Sequence, residues 1–200
     1  KHYFGHGVPQ SYEAAFRLYE ASAKMENSRA MYTLALMCLK GLGVEKNPNE
    51  CYKYLVKASN RKYPDAMNQL GNFYETGTIV DQNITRAAKY YAAAAELGHL
   101  DAMTNLAVLL IQGCTEFESD APKGIEWLNR AVDKNYARAQ NLLGNMYYSG
   151  VAVEKNPERA VALYRKSATQ GYDAALNNLG ICYEEGRCVV RDLTSAAHYY

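Results

Sequence analysis

The sequence predicts an all-α chain, a solenoid of antiparallel helix pairs, and three observations carry that prediction. A small residue recurs at Ala30, Ala66, Ala102, Ala139 and Ala175, and a leucine follows four residues later at Leu34, Leu70, Leu106, Leu143 and Leu179, in steps of 36, 36, 37 and 36 residues. A glycine closes each of these segments, at Gly41, Gly77, Gly113, Gly150 and Gly186. The composition agrees with one tyrosine- and glycine-bearing pattern used repeatedly: 18 Tyr and 14 Gly stand against 4 Phe and 1 Trp. A 48% hydrophobic and 22% charged chain is folded rather than disordered.

Each repeat opens with a helix, called A. In "DAMNQLGNFYETG" the residues Ala66, Met67, Leu70, Gly71 and Tyr74 fall within about 140° of one another at about 100° per residue, which is one helical face. The residue directly after the leucine is small, Ala35, Gly71, Ala107, Gly144 or Gly180, and gives a facing helix room to approach. Before the closing glycine comes Tyr74, Tyr147 or Tyr183, replaced by Cys38 and Leu110 in the other two copies. A second helix, B, starts after a polar residue at Asn47, Asn83, Asp120, Asn156 or Asp192, the residue types whose side chains cap free backbone N–H groups. Pro48 and Pro157 take the first helical position, where a missing N–H costs nothing. Ala87, Tyr90, Tyr91, Ala94 and Ala95 form the apolar face of B, and Gly98, Asn135 and Gly171 end it with residues that accept left-handed geometry. Each helix should run about 13 residues, roughly 20 Å. Tyr74, Tyr90, Tyr91, Tyr147, Tyr164 and Tyr183 are read as core, with hydroxyls reaching solvent or a backbone carbonyl.

The run shared by "DAMNQLGNFYETGTIVDQNITRAAKYYAAAAELGH" and "ARAQNLLGNMYYSGVAVEKNPERAVALYRKSATQGY" resembles the Sel-1-like repeat, a relative of the tetratricopeptide repeat with a longer loop between its helices. The resemblance covers the whole chain. It implies a right-handed α-solenoid of about five repeats with both end repeats truncated, a single array over 1–200 divided near 1–27, 28–63, 64–99, 100–136, 137–172 and 173–200. The loop "GCTEFESDAPKG" departs from the pattern: it lacks the Gly-x-Gly-Val turn and carries one extra residue. Lys1–Gly5 align with the end of an A helix and "TSAAHYY" stops near the middle of a B helix, so the expectation is a window from a longer array, without the polar capping repeats of a complete solenoid.

The remaining signals exclude more than they assign. With 22 Lys+Arg against 21 Asp+Glu and no basic block, nucleic acid is not an expected partner. No apolar run approaches the roughly 18 residues of a membrane span, so direct membrane insertion by this segment is not expected. Cys38, Cys51, Cys114, Cys182 and Cys188 show neither CxxC nor Cys/His clustering, so no zinc site is read, and most are expected to be small buried hydrophobes, with a Cys182–Cys188 redox pair disfavoured. His2, His6, His99 and His198 read as surface or loop residues, no cofactor is implied, and no catalytic arrangement recurs, which points to a non-enzyme. "GHGV" at Gly5–Val8 and "GLGV" at Gly41–Val44 lie between helices rather than after a strand, so they are connecting turns and not a dinucleotide fingerprint. Asn83-Ile84-Thr85 fits the glycosylation pattern, but Asn83 fills the capping slot of Asn47 and Asn156.

The candidate site is the face of helix A turned away from helix B, which in tetratricopeptide-like solenoids lines the concave surface; the resemblance implies the same here. Apolar patches at Tyr32 and Leu36, then Val108 and Ile111, alternate along it with amides at Asn68, Asn72, Asn141, Asn145 and Asn177, and with Tyr148. An amide offers donor and acceptor together, so a row of them suits the backbone of an extended peptide. The expectation is therefore a scaffold that binds a protein or peptide partner, oligomeric state unassigned, placed in the cytoplasm rather than the endoplasmic reticulum lumen. The alternatives are an accessory region of a larger enzyme and an endoplasmic reticulum quality-control adaptor.

Overall fold

A computed structural model describes residues 10–114, 117–186 and 189–199. The described residues form α1 (Tyr12–Lys24), α2 (Ser28–Lys40), α3 (Pro48–Asn60), α4 (Pro64–Thr76), α5 (Ile84–Glu96), α6 (Leu100–Gln112), α7 (Ala121–Asp133), α8 (Ala137–Ser149), α9 (Pro157–Ala168), α10 (Asp173–Glu185) and α11 (Leu193–Tyr199). The even-numbered helices are the A helices and the odd-numbered ones the B helices, in the register the repeat spacing gives. The described residues contain no strand; the only bridge among them is an isolated one between Cys114 and Phe117. The chain packs as two compact units, Lys1–Ala102 and Met103–Tyr200.

In the first unit, Asn47 and Asn83 accept at Oδ1 from the backbone N–H of Glu50 and Arg86 and so cap α3 and α5. In the second, Asp120, Asn156 and Asp192 do the same for α7, α9 and α11. A further bond was not legible in the sequence. The backbone N–H of each capping residue donates to a carbonyl near the end of the preceding A helix: Asn47 to Cys38 and Asn83 to Tyr74 at 2.8 Å, and in the second unit Asp120 to Leu110 at 2.7 Å, Asn156 to Tyr147 at 2.8 Å and Asp192 to Tyr183 at 3.0 Å. The bond survives the irregular α6–α7 loop, where the Ser119 hydroxyl donates to the carbonyls of Leu110 and Ile111. The extra residue therefore alters that loop and not the helix pairing.

Left-handed backbone follows the B helices at Gly98, Asn135 and Gly171, as read, but also at Lys62 with φ 59° and Glu26 with φ 67°, which hold the same register. Those two side chains are poorly suited to that geometry, and nothing in their identity marked the turn.

Where A and B helices touch, residue sizes are paired. In the first unit a Cβ placed on Gly71 would lie 2.5 Å from the Tyr91 ring. In the second, one on Gly144 would lie 2.6 Å from the Tyr164 ring. Where the A position is Ala35 or Ala107, the B residue in the register of Tyr91 and Tyr164 is Leu55 or Leu128, each fully buried. Close packing leaves room for a methyl group plus leucine or for no side chain plus tyrosine.

Cys38 and Cys51 are buried free thiols, Cys182 is buried, and Cys114 is an exposed free thiol. Cys188 lies outside the described residues, as do His2, His6 and the Gly5–Val8 turn. His99 sits in the α5–α6 connection and takes a capping role, its Nδ1 accepting from the Ala102 N–H at 3.1 Å. No helix among the described residues is long and apolar enough to cross a membrane.

Candidate partner-binding face

In the first unit the outward face of α2 and α4 is only partly open. Tyr32 is half-buried, its ring centroid 5.4 Å from that of Tyr63, which precedes α4, and burial followed by the nearby Asp65 carboxylate raises its pKa. Leu39 packs with Tyr32 against the core. Leu36 is half-buried and lines a hollow of 440 Å³ between α1 and α2, together with Tyr19, Ser22 and Thr33. Asn68 and Asn72 are half-buried. The Tyr91 hydroxyl, arriving from α5, lies 2.6 Å from Asn72 Oδ1 and 2.5 Å from Glu75 Oε2.

The second unit draws its amides into one network. Asn141 is 7% exposed, and its Oδ1 accepts from Asn178 Nδ2 at 2.8 Å. The same Asn178 amide reaches Asn145 Oδ1 at 3.0 Å, and Asn145 Oδ1 also accepts from the Tyr164 hydroxyl at 2.9 Å. Burial, with Cys182 next in weight, holds the Tyr164 pKa far above the usual phenol value. Tyr148 is half-buried and donates to Glu185 at 3.2 Å. Ile111 turns towards α7, since a Cβ on Gly124 would lie 2.6 Å from its Cγ1. Val108 is half-buried, Asn145 and Asn177 are exposed, and Thr104, in the slot of Asn141 and Asn177, is fully buried. Asn145, Tyr148, Tyr164, Asn178 and Ile181 line a cavity of 300 Å³.

Two expectations change here. The hydroxyls of Tyr91 and Tyr164 meet polar side chains: Tyr91 the Asn72 amide and the Glu75 carboxylate, Tyr164 the Asn145 amide. The amide row expected to meet a partner's backbone is bonded inside the protein at Asn141 and Asn145. The alternation of apolar and amide residues along the face has an internal cause. Where helix B supplies Tyr91 or Tyr164, the A residue after the small one is Asn72 or Asn145; where B supplies Leu55 or Leu128, it is Leu36 or Val108. A buried hydroxyl needs a partner and a buried leucine does not.

Asn178 and Asn105 escaped the sequence reading. Arg138 Nη2 donates to Asn105 Oδ1 at 2.8 Å, and Asn178 stands one position beyond the slot chosen for the row. The signal was a spacing of one repeat plus one residue: Asn141–Asn178 and Tyr148–Glu185 are each 37 apart within repeats 36 long.

The Sel1 repeat family model matches residues 2–27, 28–63, 64–99, 100–136, 137–172 and 173–200. Chitin synthase regulator SKT5 of Saccharomyces cerevisiae is 32% identical over 178 residues, covering 86% of this chain and 25% of that protein. Chitin synthase regulatory factor 3 of Schizosaccharomyces pombe is 29% identical over 150 residues, 72% of this chain and 16% of that one. The chain thus spans a quarter or less of the length of these two relatives. A crystal structure of a Sel1 repeat protein from Oxalobacter formigenes is similar at a TM-score of 0.91 and 30% identity, over 99% of this chain and 81% of that one.

Proposed function

Because the chain belongs to the Sel1 repeat family, we propose that it is a non-catalytic interaction scaffold that holds a partner peptide or domain on the outward faces of its A helices. The observation that carries the reading is the 300 Å³ cavity of the second unit, rimmed by Asn145, Tyr148 and Asn178. An amide has two donors and one oxygen with two lone pairs. The internal bonds given above engage the Asn145 oxygen, and Asn177, exposed, stands on the same helix as Asn178. Tyr148 supplies apolar contact there, and Val108 does so on α6. In the first unit Leu36 and Tyr32 anchor an apolar segment, with Asn68 and Asn72 beside them. Buried Asn141 and inward-turned Ile111 hold the surface in shape and belong to it indirectly.

The test is recovery of a partner from the source cells by the tagged chain, compared with its Leu36→Asp, Asn177→Ala and Tyr148→Ala variants, each checked for unchanged helicity. Recovery should fall in at least one variant. Equal recovery by all three would overturn the proposed surface.

A second reading, a regulatory repeat region of a larger protein, draws support from the two fungal relatives, which are regulators by name and of which this chain matches 25% and 16%. We place the chain in the cytoplasm rather than the endoplasmic reticulum lumen, supported by the free thiols of Cys38 and Cys51. Glycan occupancy at Asn83 in the source cells would reverse that placement.

A further inference from the structure

In the first unit, on a surface separate from the A-helix face, α3, α4 and α5 enclose a groove of 390 Å³. Its floor is apolar, formed by Met67, Ala93 and the ring of Tyr90, which stacks on Tyr74 at a centroid distance of 5.6 Å and an interplanar angle of 9°. Two cations stand at its edge. The Arg86 guanidinium lies 5.5 Å from the Tyr74 ring centroid, with Nη1 3.5 Å from its hydroxyl, and Lys89 is exposed one turn further along α5. Neither forms an ion pair with a described carboxylate. Ser59 also lines the groove. It is 7% exposed, and its hydroxyl has no hydrogen-bond partner among the described residues, an arrangement that is costly unless something else supplies one.

The other repeats show that the pair of cations is particular to this groove. The positions of Arg86 and Lys89 are held by Glu50 and Lys53 in the preceding repeat, which neutralise each other at 3.0 Å. In the repeats that follow they are held by Lys123 and Glu126, then by Arg159 and Ala162. The position of Ser59 becomes Ala95, Val132 and Ala168. Among these four repeats, two unpaired cations and a buried hydroxyl without a partner among the described residues coincide at this groove alone.

We propose that this groove binds an acidic peptide segment, an apolar side chain resting on Met67 and Tyr90 while neighbouring carboxylates meet Arg86 and Lys89 and a polar group of the peptide bonds to Ser59. Asp81, in the adjoining cavity, sets the end beyond which the peptide carries no further acid. Two cations over an apolar floor suit a peptide; a nucleic acid would call for a longer basic track.

The probe is a fluorescein-labelled peptide of repeated Leu-Glu-Glu triplets, followed by anisotropy, with a Leu-Gln-Gln counterpart and a labelled single-stranded oligonucleotide. The acidic peptide should bind and the glutamine peptide bind more weakly, with the difference shrinking at high salt. Arg86→Gln with Lys89→Gln should weaken acidic-peptide binding by about tenfold, Ser59→Val should weaken it as well, and Lys123→Gln should leave it unchanged. Arg86 and Lys89 are exposed, so the double variant keeps its fold, checked by helicity. Absence of binding, equal binding of the glutamine peptide, or indifference to the double variant would overturn the proposal. Tighter oligonucleotide binding lost in the same variant would overturn the assignment to a peptide. None of these results bears on the A-helix surface, which the Leu36, Tyr148 and Asn177 variants test separately.

Discussion

Exchanging one size pair for the other tests how the A and B helices are matched. Gly144→Ala alone places a methyl carbon 2.6 Å from the Tyr164 ring and 3.4 Å from the Ala160 carbonyl. The ring has nowhere to retreat, being 3% exposed and tied through its hydroxyl to Asn145 at 2.9 Å. Overpacking of this kind costs about 1–3 kcal/mol, offset by about 1 kcal/mol from replacing glycine by alanine within a helix, so the net loss should be about 0–2 kcal/mol. Tyr164→Leu alone removes ring atoms from a filled site and leaves a gap beside Gly144, at a cost of about 2–4 kcal/mol. The double variant recreates the pairs the chain already uses at Ala35 with Leu55 and Ala107 with Leu128. The new methyl group enters the vacated space, so the two losses should fall short of their sum by about 1–2 kcal/mol. Urea midpoints of the four proteins, read by helical ellipticity, give that coupling. Additivity within about 0.5 kcal/mol would refute the size-pairing argument.

Lys62→Gly should raise stability by about 0.5–1 kcal/mol, because relief of a left-handed lysine at φ 59° exceeds the added unfolded-state entropy; a lower melting temperature would contradict it. Asn156→Ala removes the cap on the Arg159 N–H and should cost about 1 kcal/mol, with Asn156→Asp restoring most of it in thermal melts. At alkaline pH, burial and then Cys38 push the Cys51 thiol up to about 12 from 9.0, and burial with the Tyr74 hydrogen bond pushes Tyr52 up to about 12 from 10.0. Both groups stay neutral in the folded state after their unfolded counterparts ionise, so their contribution is intact below pH 9 and is lost as the pH rises towards 12. Helicity followed with tyrosinate absorbance should fall within that window; helicity unchanged across it would count against the linkage.

What could be read along the chain and what could not divides by the range of the interactions. Helix positions, the Asn47, Asn83, Asp120, Asn156 and Asp192 caps and the closing glycines depend on neighbours a few residues away, and the repeat spacing aligned them all. The structure follows that register from α2 to α10. The left-handed turns at Glu26 and Lys62 were hidden because the packed helices on either side impose a conformation that neither side chain prefers. The outward face was legible as a set of positions, with Asn68, Asn72, Asn141, Asn145 and Asn177 in their slots, but not as chemistry. Helical phase shows which way a side chain leaves its own helix. It does not show that the Tyr91 hydroxyl arrives beside Asn72, that Asn178 joins Asn141 to Asn145, or that Ile111 fills the space left by Gly124. Those contacts join residues 13 to 37 apart in sequence, and they exist only once helices with their own side-chain volumes have stacked and brought those hydroxyls and amides together.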